Sequence, residues 1–423
     1  MFATIKQIFN PRNKELQKRI LFTFACLIVF KVGTAIVVPG INQNALGTRS
    51  LGFLELMNVM GGGALERFSI FALGVMPYIT AQIIIQLLEM DIVPYLADLA
   101  KQGGTGRAKL NQITRIAGIA LAFLQGYIYS FTYMNGGTVM DYMSYSLILT
   151  AGTCVLLWLG DIMTQKGIGN GMSIIIMAGI ISNLPNMFSQ AWSSLIVTDG
   201  TVKGIILFII YVLVYLAIVL GIVFFQLAER RIPIQYSNKQ AGAMGGQSYL
   251  PFKLNSAGVV PVIFASALLA IPSMIANFAK NEGFSKFVSN WLVTDVPVGF
   301  ALYVIFIFAF SFFYAFLQLK PREMAENLQK NGGYIPGVRP GEDTVKYVNS
   351  VLYRITFVGS LALTVLAALP IIFGMVAKDL PSSVSIGGTG LLIVVGVALE
   401  TYKQVEGSLA MTSYRKGRRN RWI

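Results

Sequence analysis

Long apolar runs follow one another down this chain, parted by short polar connections, and none of the runs alternates apolar with polar. A run of about 20 apolar residues spans the hydrocarbon of a bilayer, where the backbone must satisfy its own hydrogen bonds as a helix or a closed barrel. Unbroken runs, lacking the period of two that a barrel strand needs, predict helices. Ten spans result, over Ile20–Val38, Phe68–Leu88, Ile116–Tyr133, Tyr145–Leu159, Met172–Leu184, Gly204–Leu227, Ala257–Ala276, Pro297–Leu317, Leu352–Ala377 and Gly388–Tyr402. The first follows a basic segment, as the core of a secretory signal would. Its apolar stretch is long, no small-residue cleavage site is evident, and nine more spans come after it, so it reads as a retained helix.

Composition agrees with this pattern. Of 423 residues, 55% are hydrophobic and 12% charged, against about a quarter charged in a soluble domain. The net charge of +14 matters through its placement, because Lys and Arg near span ends favour the cytoplasmic side. With the N-terminus inside, 26 of the 33 Lys and Arg fall in cytoplasmic segments and six outside, Lys31 lying within the first span. Both termini are therefore expected in the cytoplasm, as an even number of spans requires. Topology alone accounts for most of these cations. Two cytoplasmic loops, 228–256 and 318–351, are longer than topology needs, and loops of such length are uncommon unless they act. Two readings stand side by side for them: a docking surface for an anionic partner, or long topology determinants.

Candidate chemistry narrows the function by what the spans lack. The sequence contains no histidine, which excludes a His-based metal site or general base. Cys26 and Cys154 fall in separate spans without a CxxC partner and read as small apolar fillers. The GIGNG stretch at Gly167–Gly171 lacks the Lys and the preceding strand of a phosphate loop, so it reads as a turn and a helix start capped by Asn170. Ionisable groups inside a bilayer are costly and usually functional, yet the central spans hold almost none. Lys31 sits in the first span, Glu400 near the end of the last, and Asp161 and Glu229 at cytoplasmic ends. An ion-coupled solute transporter needs midplane carboxylates, and an intramembrane enzyme needs a Ser/Lys, His or paired-Asp constellation; neither pattern is visible. The spans do carry isoleucine clusters, at Ile83–Ile85 and Ile174–Ile176. Most such residues face lipid or pack, while a subset gathered in a constriction would gate a pore by excluding water.

One further segment stands apart. Leu51–Leu65 is apolar but too short to cross a bilayer, carries Glu55 and Asn58, and is broken by Gly61–Gly63. Irregular backbone is tolerated at membrane depth only where protein encloses it or it lines a cavity. The segment is read as a re-entrant half-helix entering from the outer side, with an interfacial loop helix as the alternative. Ten spans divide into five and five at the outer connection near 183–203. An odd number in each half gives the halves opposite orientations, the inverted-repeat plan of many transport proteins, although no residue-level repeat is evident.

Five stretches are recognisable as a set: FSIFALGVMPYITAQIIIQLL (Phe68–Leu88), GIGNGMSIIIMAGI (Gly167–Ile180), KLNSAGVVPVIFAS (Lys253–Ser266), KPREMAENLQKNGGYIPGVRPGEDT (Lys320–Thr344) and GGTGLLIVVGVALE (Gly387–Glu400). In this order and within ten spans, they resemble SecY, the channel-subunit family of the bacterial Sec protein translocase, over nearly the whole chain. The resemblance implies an all-α polytopic membrane protein with ten transmembrane helices in two inverted pseudo-symmetric halves of five and a re-entrant plug segment. It divides the chain into a cytoplasmic N-terminal arm at 1–19, an N-terminal half at 20–184 that includes the plug at 51–65, an outer hinge connection at 185–203, a C-terminal half at 204–402 and a basic cytoplasmic tail at 403–423. The implied activity is passage of unfolded polypeptide across the bacterial plasma membrane, with sideways release of apolar segments into lipid. No enzyme activity, cofactor or metal is implied.

The resemblance also assigns residues. The ring that closes the pore corresponds to Ile79, Ile83, Ile176, Ile180, Ile263 and Ile393, and the plug to the segment holding Leu54, Met57, Met60, Gly61, Gly62 and Gly63. A lateral gate would run between the second and third spans and the seventh and eighth, with Gln86, Gln125 and Ser266 as a polar seam. Arg230, Arg231 and Arg339 match the surface that receives the SecA motor ATPase or the ribosome. Pro336, Gly337, Pro340 and Gly341 flank Arg339 in turn-forming positions. The basic tail Arg415–Arg421 reads as a disordered end drawn to lipid headgroups. The implied partners are SecE-like and SecG-like small membrane subunits, SecA, the ribosome, signal peptides and unfolded preproteins, and the lipid bilayer.

Overall fold

The computed structural model describes residues 13–40, 58–89, 92–133, 137–197, 202–236, 248–279, 282–293, 296–376 and 382–419. Among them the helices are α1 (Lys14–Ala35), α2 (Met76–Leu88), α3 (Pro94–Lys101), α4 (Gly104–Tyr133), α5 (Val139–Lys166), α6 (Gly171–Trp192), α7 (Val202–Leu227), α8 (Val260–Ala279), α9 (Glu282–Trp291), α10 (Pro297–Leu319), α11 (Pro321–Lys330), α12 (Glu342–Val376) and α13 (Ser382–Arg419). Stretches within α5, α6, α7, α10 and α12 are long and apolar enough to cross a bilayer, while α2 and α8 are apolar but shorter.

Local chemistry sets several of the helix starts. Thr138 and Asp141 form a reciprocal capping box at α5, and the hydrogen bonds from Thr138 hold the Asp141 carboxyl below its ordinary pKa. Asn170 accepts from the Met172 and Ser173 amides at the start of α6, as the GIGNG reading expected. Pro77 and Pro297 occupy first-turn positions of α2 and α10, where the missing N–H costs nothing.

Three expectations are corrected. The second apolar run is not helical from Phe68: α2 begins at Met76, and residues 68–75 are turns. Phe68 (φ 47°) and Gly74 (φ 58°) adopt left-handed backbone that no α-helix contains. This stretch finds its hydrogen bonds elsewhere: the Val38 amide donates to the Phe68 carbonyl at 3.0 Å, the Ile70 amide to Ile36 at 3.0 Å, and the Ser69 amide to Ala64 at 2.9 Å. The last helix does not stop at Tyr402 but runs on to Arg419, so the tail to that point is helical. The two long loops are also not loops throughout. They contain β1 (Glu229–Tyr236), β2 (Ser248–Lys253) and β3 (Gly333–Tyr334), joined as an antiparallel sheet in the order β2-β1-β3.

The chain divides into two compact units. The first comprises 1–198, 274–285 and 379–423. In it α4 packs against α2, α3 and α5, α5 against α1 and α6, and α6 against α13. Contact is close at small residues: Gly118 meets Tyr78, Gly126 meets Ser146, and Gly152 of α5 lies so near the Ile70 carbonyl that a methyl there would overlap it. Arg115 and Asp161 join α4 to α5 in an ion pair at 2.6 Å. Because both side chains stay partly exposed, the pair contributes at most about 1 kcal/mol. Thr23 on α1 accepts from the Ile168 amide at 3.1 Å, which ties the turn between α5 and α6 to the first helix.

The second unit comprises 199–273 and 286–378. Here α12 packs against α7, α10 and α11. Its contact with α10 is aromatic, through Phe308–Phe357 and Phe312–Tyr353, while Phe264 on α8 meets Tyr314 edge-on at 4.8 Å. One stripe of α10 is buried, Gly299, Tyr303, Ile307, Ser311, Tyr314 and Ala315. Their spacing of three or four residues is that of a single helix face. By contrast α7 presents large apolar side chains over most of its circumference, with Phe224 the most open at 81% exposed, as a lipid-facing helix does.

Candidate functional site

In the first unit, residues 58–66 form a closed loop whose backbone is spoken for from within. Asn58 clasps Glu66 at two points: its Oδ1 accepts from the Glu66 amide at 3.0 Å, and its Nδ2 donates to the Glu66 carboxylate at 3.2 Å. The Gly63 amide donates to the Asn58 carbonyl at 2.8 Å, and the Gly62 amide to Val59 at 3.2 Å. Gly62 (φ 73°) and Gly63 (φ 80°) make the turn in left-handed backbone that other residues adopt only under strain. Val59, Met60, Ala64 and Leu65 are all buried. Leu54 and Met57 lie outside the described residues; Met60 and Gly61–Gly63 lie on this loop.

The loop sits on α6. A methyl group on Gly179 would overlap the Met60 carbonyl oxygen, and one on Gly62 would come within 3.3 Å of the Gly179 backbone. The two segments thus touch backbone to backbone. Ile180, the next residue, is fully buried, and a methyl on Gly390 of α13 would lie 3.0 Å from its Cγ2. Glycine loop, α6 and α13 therefore meet around Ile180. Ile79 and Ile83 are one turn apart on α2, Ile176 and Ile180 one turn apart on α6, and all four are buried, as is Ile393 on α13. Ile263 belongs to the second unit and is half-buried. Sequence reasoning missed Asn58–Glu66 as a clasp and Gly179 as a seat; a glycine directly before a singled-out isoleucine in an apolar helix was the available signal. Lys31, the cation inside the first span, donates to Ser182 Oγ on α6.

Of the expected seam, Gln86 lies on α2 and Gln125 on α4. These helices run antiparallel, with Tyr78 against Gly118 and with Ile85 and Leu110 in one cluster. At 1.5 Å per residue, the two glutamines stand about 20 Å apart along the pair. They mark two ends and do not meet. Gln125 is 7% exposed, and its carbonyl oxygen has no hydrogen-bond partner among the described residues. In the second unit Ser266 donates to the Val262 carbonyl at 2.9 Å and lies beside the buried Tyr303 hydroxyl.

The arginines of the two long loops share one body in the second unit. Ile232 and Phe252 of the β-hairpin, Ile335, and Val348, Val351 and Ile355 of α12 form a single core, and the Tyr334 hydroxyl donates to Gln235 at 2.9 Å between β3 and β1. Arg231 lies 4.7 Å over the Tyr249 ring and pairs with Glu229 at 2.7 Å. That hydrogen bond, with the charges of Tyr249 and Glu229, raises its pKa above the ordinary arginine value. Arg230 and Arg339 are exposed. The Arg339 carbonyl accepts from Thr344 Oγ1 at 2.8 Å, and Gly337 (φ 82°) and Gly341 (φ 104°) on either side fix the turn that presents it.

Comparison with known proteins places this geometry. A family model described as SecY matches residues 69–402. The chain is 46% identical to "Protein translocase subunit SecY" of Staphylococcus epidermidis (strain ATCC 35984), over 98% of this chain and 99% of the relative. To the protein of the same name from Bacillus subtilis (strain 168) it is 47% identical, with the same coverage. In fold it is similar to a solved structure of "a protein conducting channel", with a TM-score of 0.65 at 20% identity over 92% of each chain. It is similar also to a structure described as "Sec61 in the Canine ribosome-channel complex from the endoplasmic reticulum", with a TM-score of 0.61 at 19% identity and the same coverage.

The seat on Gly179 gives a direct prediction. Overpacking a close contact costs about 1–3 kcal/mol, so Gly179→Val should unseat the loop and speed its exposure roughly five- to 150-fold. With Cys26 and Cys154 replaced by alanine, a Met60→Cys side chain should resist a water-soluble maleimide when Gly179 is present and react rapidly in the Gly179→Val background. Equal protection in both would refute the seat.

Proposed function

The chain belongs to the SecY family, and from that premise we propose how its residues conduct protein. It is a multi-pass membrane protein, the channel subunit of a protein translocase, and not an enzyme. In our reading the ten apolar helices cross the membrane as two inverted halves, 20–184 and 204–402, joined by an outer hinge at 185–203. The N-terminal arm 1–19 and the tail 403–423 lie in the cytoplasm of a bacterial cell. The excess of Lys and Arg on one side of the expected topology supports that orientation, and the bacterial relatives support the plasma membrane.

Ile79, Ile83, Ile176, Ile180, Ile263 and Ile393 constrict the conducting path. Branched aliphatic side chains offer water no hydrogen bond, so a thin water file between them is unfavourable. They yield equally to any passing side chain, because dispersion contact has no directional demand. The segment 51–65 closes the idle path as a plug. The observation that carries this reading is the seating of Met60 and Gly62 on Gly179, beside the fully buried Ile180. The clasp between Asn58 and Glu66 keeps the loop's form, so it leaves and returns as one piece. Gln86, Gln125 and Ser266 lie along the lateral gate, where an apolar segment exits to lipid.

At the cytoplasmic end, the sheet body presents Arg230, Arg231 and Arg339 to the SecA motor or the ribosome. Its shared core supports this role, because a rigid body transmits a push that a flexible loop would absorb. SecE-like and SecG-like subunits accompany the chain, and signal peptides and unfolded preproteins are its cargo.

Replacing Ile83, Ile180, Ile263 and Ile393 together by serine should raise ion conductance of the idle channel in planar bilayers. Conductance equal to that of the unaltered chain would remove the constriction. Arg339→Glu reverses a rim charge and should weaken SecA binding roughly tenfold, read as lost stimulation of the motor ATPase while yield and detergent stability stay unchanged. Normal stimulation would count against docking at this turn.

A further inference from the structure

Helix α9 (Glu282–Trp291) has a two-faced surface that neither the conduit nor the docking body uses. Phe284, Phe287, Val288 and Trp291 fall on one side at spacings of three, four and seven residues, and Ser285, Lys286, Ser289 and Asn290 on the other. Val288 is 3% exposed, but Phe287 and Trp291 are 53% and 52% exposed and Phe284 37%. One edge of the apolar face is thus covered by the protein, while Phe287 and Trp291 stand open.

The position of α9 is fixed by its neighbour. Just beyond α9, the Val293 carbonyl lies against Gly299 in the first turn of α10, so closely that a methyl there would overlap it. The Leu292 amide donates to Val288 at 2.9 Å, and the Val296 amide to Val293 at 3.1 Å. Helix α10 is 23 residues long and lies in a stretch apolar enough to cross a bilayer. At 1.5 Å per residue it is about 34 Å long, slightly more than the hydrocarbon thickness. Its far end leads into α11 and the sheet body, so its near end, with α9, reaches the opposite membrane surface. Val298 and Ile305 on α10 are exposed apolar residues, and the lipid that covers them extends to the level of α9.

We propose that α9 is an interfacial anchor. It lies in the headgroup region of the leaflet opposite the sheet body, with Phe287 and Trp291 inserted among the upper acyl-chain segments of phospholipid. Trp is favoured at this depth because its ring is apolar and its N–H is polar, and a short helix with an aromatic face and a polar face binds in the plane of the interface. The anchor holds the connection between α8 and α10 at a fixed depth. It stands whether or not those helices border a gate.

The test uses the full chain with Trp158, Trp192 and Trp422 replaced by phenylalanine, reconstituted in phosphatidylcholine vesicles brominated either high or low on the acyl chain. Trp291 fluorescence should be quenched roughly twofold more by the high-brominated lipid than by the low, and little by aqueous iodide. Strong iodide quenching with no lipid quenching would show a water-exposed helix and overturn the proposal. Protection from both quenchers would show a protein partner, a second copy included, and overturn it equally. A spin label at Phe287→Cys, with Cys26 and Cys154 replaced by alanine, reads the same depth independently: collisions with oxygen should exceed those with a water-soluble nickel complex. The reverse order would exclude insertion.

Discussion

At several places among the described residues a carbonyl oxygen is set directly against a glycine of a helix. The Ile70 carbonyl lies on Gly152, the Met60 carbonyl on Gly179, the Leu254 carbonyl on Gly359 and the Val293 carbonyl on Gly299. The physical demand behind this is severe. A hydrocarbon environment supplies no partner for a bare carbonyl, so non-helical chain survives there only when protein closes over it. Glycine lets the approach come close enough for a Cα–H to meet the oxygen, worth about 0.5–1 kcal/mol each, and leaves no space for lipid. Two segments hang on such seats. The loop at 58–66 is held against α6 by one, and the connection that carries α9 is held to α10 by another.

That constraint explains which features could be read from residues in order. Apolar runs announce helices, because their length and composition are set by the bilayer. They do not announce where a helix begins inside an apolar stretch. Phe68–Val75 is as hydrophobic as the helix that follows, yet Phe68 and Gly74 take left-handed backbone, and hydropathy carries no information about φ. The sheet was hidden for a different reason. Glu229–Tyr236 is charged and contains proline, and its second partner, Gly333–Tyr334, lies about a hundred residues further along the chain. No local pattern reveals such a pairing. Of the candidate site, the isoleucines were legible as chemistry, a gatherable set of aliphatics, but their grouping rested on family resemblance. Gly179 and the Asn58–Glu66 clasp were illegible, because a seat exists only once the chain that sits on it has been placed.

The distribution of polar groups follows the same logic. The mid-helix stretches carry few charges, while the body built from the two long loops carries many. There Arg231 is steadied by Glu229 and Tyr249, and Arg339 stands on a turn locked by Thr344. Ile79, Ile83, Ile176, Ile180 and Ile393 stay on buried faces of α2, α6 and α13. In the proposed reading, an aliphatic wall and a charged surface are complementary needs of a conduit that passes many sequences.

The most direct test asks which side chains a moving polypeptide touches. A photo-crosslinking residue placed singly at Ile83, Ile180 and Ile393 should form adducts with a preprotein arrested partway through the channel, and the same residue at lipid-facing Phe224 should form none. Adducts at Phe224 with none at the isoleucines would place the path elsewhere and contradict the account.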